Sequence, residues 1–191
     1  MSAQPISTET RNTFRSTIRG YTVEGRAHSL SAWFVLSLRL MMGYAFAYSG
    51  FTKIVAAEPF SAGGYLTHVA ATNGNPLADL FAWMGSTPWF VEFANVAVPW
   101  GELLIGLGLL VGAVVRLAAF FGALMMAMFY FGNWDVAHGV INGDFAYMLV
   151  FLAVAAFGAG RILGLDAYVE RYEIDGTPLV EKYPKLEYVL G

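Results

Sequence analysis

The chain contains no cysteine. That removes thiol redox chemistry, disulfides, thiolate zinc sites, c-type haem attachment and cysteine-ligated iron–sulfur clusters from the functions open to it. Charge is scarce as well: Asp, Glu, Lys and Arg make up 13% of the 191 residues, roughly half the usual quarter. The net charge of −3 offers no basic surface, so no nucleic-acid partner is expected. The histidines, His28, His68 and His138, all fall outside or at the edge of the apolar runs. A bis-histidine b-haem needs two at matched depth inside a bundle, so neither haem nor a resident metal is expected. The first 29 residues are polar and lack an apolar h-region, which predicts no signal peptide.

What the sequence does have is apolar surface. Hydrophobic residues reach 57% and aromatics 16%, with a mean hydropathy of +0.55. A soluble fold of this size has too little polar surface to cover such a core, so the composition predicts an integral membrane protein. Four continuous apolar stretches, Leu30–Phe51, Trp89–Gly112, Val115–Asn133 and Asn142–Arg161, approach the ~20 residues that a helix needs to cross a bilayer. Continuous runs rather than strict alternation favour helices over barrel strands. The expected architecture is all-α: a cytoplasmic arm (1–29), a four-helix membrane bundle (30–164) and a cytoplasmic tail (165–191).

Basic residues set the expected orientation. Arg11, Arg15, Arg19, Arg26, Arg116, Arg161, Arg171, Lys182 and Lys185 flank one side of the spans, and Lys53 alone flanks the other. By the positive-inside rule both termini are cytoplasmic. The long 53–88 loop contains two partly apolar segments, Phe60–Val69 and Leu77–Met84, separated by Asn73-Gly74-Asn75-Pro76, a run of turn residues. Ser86-Thr87-Pro88 predicts a cap and first-turn proline for the second span. Gly112–Val115 leaves almost no loop, so spans two and three form an antiparallel pair. Gly108/Gly112 and Gly43/Ala47 have small-xxx-small spacing, which suits close helix packing.

The tails admit two readings each. Arg11, Arg15 and Arg19 recur every four residues beside Phe14 and Ile18, a pattern that fits a basic helix on an anionic leaflet or a disordered polar tail. The tail from Leu165 carries Tyr168, Tyr172, Leu179, Tyr183, Leu186 and Tyr188, enough apolar surface to dock on the bundle or on a partner.

Arg39 and Glu102 are full charges in mid-span, costly unless satisfied. Both fall about nine residues from the cytoplasmic ends of their spans, roughly 13 Å in at the rise of an α-helix. Equal depth and opposite sign predict a buried ion pair. That pair reads either as the floor of a quinone or proton site, extended by Tyr44 and Tyr48, or as a device that fixes packing. A second polar cluster on the outer rim (Lys53, Glu58, His68, Asn133, Asp135, His138, Asn142, Asp144) could form an acid–base or metal site around Asp135, His138 and His68, but the spacing matches no strong metal motif.

Arg39-x-x-x-Gly43-x-x-Phe46-x-x-x-Gly50-x-x-Lys53 in the first span resembles the opening signature of the DoxX/DoxD-like membrane proteins. The same holds for Gly101-Glu102-x-x-x-Gly106-x-Gly108-x-x-x-Gly112, for Arg116, for Asn142-x-Asp144 and for Gly164-Leu165-Asp166. The resemblance runs from about Leu30 to Asp166. It implies a four-helix membrane bundle in which Arg39, Lys53, Glu102 and Arg116 are the family's polar positions. Characterised members are subunits of thiosulfate:quinone oxidoreductases or associates of terminal quinol oxidases. The expectation is therefore a membrane subunit of a quinone-linked oxidoreductase, with quinone bound among Arg39, Glu102, Tyr48 and Lys53. The bilayer and a second subunit or a second copy of the chain are its expected partners. A dianionic donor such as thiosulfate is expected on the inner side, near Arg116 and Arg161. The alternative is a non-enzymatic scaffold or small transporter-like component. Eight arginines against three lysines fit a salt-adapted or high-GC prokaryote, hence a prokaryotic cell membrane.

Overall fold

The computed structural model describes residues 13–191. Two compact units divide at Phe34/Val35. The first contains an antiparallel hairpin, β1 (Thr13–Ile18) and β2 (Tyr21–Arg26), with Ile18 paired to Tyr21. Arg19 and Gly20 form its two-residue loop at φ 49° and 85°, the mirror-image turn that matches strand twist. This corrects both readings of the arm for residues 13–26. Thr13, Phe14, Thr17, Ile18, Tyr21, Thr22 and Val23 are strand formers, and a glycine two residues after the apolar run closes a hairpin before a helix can propagate. The four-residue recurrence of arginine is incidental; Arg11 lies outside the described residues.

From Ser31 onward the chain is mainly helical. α1 (Ser31–Val55), α4 (Pro88–Val111) and α5 (Val115–Gly132) are each long and apolar enough to cross a membrane. α6 (Gly143–Ala156) is apolar but has 14 residues; its run is completed by a 3-10 turn at Ala159–Arg161 after Gly158 turns left-handed at φ 60°. Between α1 and α4 lie the short α2 (Gly63–Tyr65), which runs into a π turn at Leu66–Ala70, and α3 (Ala78–Ser86). These correspond to the two loop segments expected from sequence. Asn75 is buried between them, donating to the Ala70 carbonyl and to Asn73 Oδ1 and accepting from Leu77 N. After the bundle come α7 (Asp166–Arg171), a two-residue ribbon of β3 (Glu173–Ile174) with β4 (Thr177–Pro178), α8 (Leu179–Lys182) and a 3-10 turn at Pro184–Tyr188.

Large apolar side chains cover the outside of α1, α4 and α5, among them Phe51, Val96, Leu107 and Phe120. Apolar surface of that extent suits a bilayer. The interior is a thin seam of Met42, Phe46, Ile105, Leu109, Ala119, Ala123, Phe151 and Val154, with Phe46 and Phe151 meeting edge to face at 4.8 Å. Between α1 and α4 the backbones nearly touch: a Cβ at Gly106 would collide with the Ala47 backbone. Gly43 and Ala47 do face α4, as their spacing predicts. Their partner is Gly106, whereas Gly108 lies near Ala113 and Ala118.

Local signals decide the helix ends. Thr87 occupies the cap position and Pro88 the first turn of α4. The Thr87 hydroxyl, however, donates to the Trp83 carbonyl of α3 at 2.6 Å, so the entry is set by backbone geometry and not by a side-chain cap. Asn142 caps α6, accepting from Phe145 N at 3.0 Å. Gly112, left-handed at φ 69°, ends α4, and its positive φ is what permits the tight turn into α5.

Candidate functional site

Where a Cβ on Gly50 would strike the α4 backbone at Leu103 and Pro99, α1 and α4 again lie close together. Three residues further on, near one helical turn, Lys53 reaches Glu102 of α4. Its Nζ donates to Oε2 at 2.5 Å and Oε1 at 2.6 Å, and to Ser49 Oγ at 2.9 Å. It also lies 5.6 Å from the centre of the Phe60 ring, within cation–π range. The Glu102 side chain is 4% exposed and that of Lys53 27%.

The lysine end of the pair stands at a cavity of about 860 Å³ between α4, α5 and the outer segments. Lys53 lines it; the rest of the wall is almost wholly apolar, with Phe81, Phe90 and Phe129 as rings and Met84, Met125 and Met128 as flexible thioethers. Tyr65 and Asn133 are its other polar residues. Tyr65 Oη donates to Asn133 Oδ1 at 2.9 Å, and Asn133 Nδ2 donates to Asp144 Oδ2 at 2.8 Å. Burial and the nearby Asp144 carboxylate push the Tyr65 phenol up to about 12. Asn133 also lines a second, polar cavity of about 410 Å³ with Asp135, His138, Asn142 and Asp144. His138 Nδ1 and Asp135 Oδ2 are 2.7 Å apart there, both well exposed. His68 is not among its lining residues, and among the described residues no three potential ligands group for a metal.

Arg39 is elsewhere. It is buried level with Gly112, at the far end of α4, and its guanidinium donates to the carbonyls of Ala159 (2.6 Å), Ile162 (2.9 Å) and Leu163 (3.4 Å). The acidic charge acting on it is Asp166. The expected Arg39–Glu102 pair is therefore replaced by Lys53–Glu102. Equal depth failed because the ends of the helices are staggered: about two turns of α1 precede the level at which α4 ends, and α1 continues to Val55, so Lys53 is inside the helix and not in the loop. Tyr48 is 60% exposed, stacks on Tyr44 and does not line the cavity.

The opposite end of the bundle is closed by the chain itself. Asp166, fully buried, accepts from Val114 N (2.7 Å), Val115 N (3.0 Å) and Gly191 N (3.0 Å). It thereby caps α5 from 51 residues beyond Val115, where an anion also suits the helix dipole. The tail docks on this turn: Leu117 N donates to Val189 O, and Arg116 donates to the Glu187 carbonyl. Arg161 is held by Glu170 at 2.8 Å. The two arginines expected to receive an anionic donor are thus engaged by the chain's own acceptors.

A model of the DoxX family matches residues 34–134, more than half of the chain. The chain belongs to the DoxX family. No curated protein and no solved structure matches it. The DoxX match runs from the first turn of α1 past the end of α5, so it contains Arg39, Lys53, Glu102 and Arg116 and every residue lining the larger cavity. Sequence reasoning found both ends of the ion pair but not Tyr65 or the methionines. The available signal for Asn133 was its place, a polar amide at the end of an apolar run.

The Tyr65 phenol gives one pH prediction. Its folded value lies above the ordinary ~10, so between these values the native chain holds a proton that the unfolded chain has lost. Stability should be undiminished below pH 10 and fall as pH rises toward about 12, following the linkage relation. In a 295 nm titration, Tyr65→Phe should remove a phenol that titrates near 12; an unchanged upper limb would refute the assignment.

Proposed function

We propose that this DoxX protein is a quinone-binding membrane subunit of a redox complex in a prokaryotic cell membrane. The observation that carries the reading is Lys53, paired with Glu102, at an almost wholly apolar cavity of about 860 Å³. The size is that of a small-molecule site, and an apolar wall with a few polar groups is the usual composition of one. A quinone ring needs a flat apolar slot and donors for its carbonyl oxygens. Lys53 Nζ and Tyr65 Oη are such donors, and the Lys53–Ser49 bond is one that a carbonyl oxygen can exchange with. Bound quinone supplies reversible two-electron, two-proton chemistry; Lys53 and Tyr65 orient the ring, and the phenylalanines exclude water. With no thiol in the chain, electrons come from a bound donor or a partner subunit.

The same reading has four crossings and both termini in the cytoplasm. It is supported by the apolar α6 and by the end of the bundle that holds Arg39, Arg116 and Arg161, set against Lys53, Glu58, Asp79, Asp135 and Asp144 at the other. A periplasmic reporter fused at residue 70 should be active and a cytoplasmic one silent; the reverse would invert the topology.

One observation favours a scaffold instead: Lys53 and Glu102 satisfy each other, as a packing device would. Protein extracted in mild detergent decides between the two readings. Stoichiometric quinone in the organic extract, lost in Lys53→Met, supports the redox reading. Quinone-free protein that also fails to bind added quinone supports the scaffold.

A further inference from the structure

The wall of the larger cavity is incomplete on one side. Phe93 and Leu104 of α4 and Phe121 and Leu124 of α5 all line it, yet each is between 48% and 63% exposed. The cavity is open rather than sealed, and side chains of this exposure along its wall mark where it opens. On two helices of span length and apolar composition, the surroundings are hydrocarbon and not water. Phe93 and Leu104 are eleven residues apart, so the opening extends roughly 16 Å along α4, about half the thickness of the hydrocarbon core. Its edges are unusually thin. Ala97 and Gly101 line the cavity from α4, and the space beside Gly101 is filled by the Met125 methyl, 3.3 Å from where a Cβ would stand. An unbranched thioether opposite a glycine is the most easily displaced closure that a helix pair can offer.

Resting on the quinone reading, we propose that the ligand is a lipid with a long polyprenyl tail that enters from the bilayer between α4 and α5. Its ring lies toward Lys53 and its tail lies in the slot bounded by Phe93, Leu104, Phe121 and Leu124. A water-soluble ligand would need a polar mouth, and where the polar cavity adjoins this one the shared Asn133 side chain is held between Tyr65 and Asp144. The tail gains little by moving from lipid into the slot, since both are hydrocarbon. The slot matters because it lets a ring reach Lys53 without the whole chain having to fit inside the cavity.

The test uses full-length protein in nanodiscs. Leu104→Trp combined with Leu124→Trp narrows the slot at positions already facing lipid. It should weaken binding of a long-tailed quinone by at least about tenfold more than that of a tailless quinone. Equal binding of the long-tailed quinone by wild type and variant overturns lateral entry while the quinone reading stands. A second measurement needs no variant: a quinone with a diazirine in its tail should label α4 and α5 at the slot. Labels confined to other helices, including the case in which a second copy covers this face, overturn the proposal. If wild-type protein binds neither quinone, the quinone reading falls. A diazirine-bearing polyprenyl alcohol then tests the slot alone: labelling of α4 and α5 supports it and absence of labelling overturns it.

Discussion

Lys53→Met is expected to lower the stability of the detergent-solubilised protein by about 3–5 kcal/mol, the usual cost of leaving one member of a buried ion pair alone. Glu102→Gln should cost clearly less. The asymmetry follows from exposure: the Glu102 side chain is 4% exposed and the Lys53 side chain 27%. A stranded carboxylate therefore has no solvent to turn to, whereas a stranded ammonium keeps Ser49 Oγ, the Phe60 face and partial hydration. Lys53→Met with Glu102→Gln removes both charges, so the double variant should recover most of the loss. The cycle should show a coupling of a few kcal/mol, well above the ~0.5 kcal/mol scatter of independent sites. Thermal melting of the four proteins in one detergent measures it, and strictly additive losses would mean that the two side chains do not act as a pair. A double variant that regains stability and still binds quinone would make the pair a packing device only.

The sequence located the helices better than it located their partners. Hydropathy placed the long helices to within a few residues because span length and composition are local properties. The turn at Asn73–Pro76 was legible for the same reason. What failed was long-range. Depth was inferred by counting from assumed common ends, and a stagger of two turns between α1 and α4 moved Arg39 away from Glu102 and brought Lys53 to it. No count along the chain reveals such a stagger. It is set where Gly50 and Gly106 let backbones touch, and those glycines were identified without knowing which residue each would meet. Asp166 is the same lesson at greater range. Its position in Gly164-Leu165-Asp166 was noticed, but that it caps α5 depends on how the chain after α6 folds back. The hairpin failed differently: a helical period was counted on three arginines while the residues between them carried the strand signal.

Arg39 provides the other large effect, and it separates the observed arrangement from the one that depth matching suggests. Its two terminal nitrogens hold three carbonyls of the 159–163 turn, and hydrogen bonds from a charged donor contribute about 1.5–3 kcal/mol each. Lysine has one donor centre in place of a planar fork and cannot span three acceptors set around two nitrogens. Arg39→Lys should therefore lose several kcal/mol despite keeping the charge, and Arg39→Ala should approach failure to fold. The damage should appear first where the turn is anchored. In Arg39→Lys, hydrogen exchange should accelerate at Leu165 and Asp166, whose amides bond to the Val111 and Gly112 carbonyls, and at the α5 amides that Asp166 caps. The Lys53 end of the bundle should be little changed. Arg39 sits level with Gly112, so Glu102 is ten residues up α4, roughly 15 Å away. Combining Arg39→Lys with Glu102→Gln should consequently give additive losses, within ~0.5 kcal/mol. Strong coupling between those two, or Arg39→Lys melting within 1 kcal/mol of wild type (a margin ordinary for surface changes, about ±0.5 kcal/mol), would return Arg39 to the site and remove it from the turn.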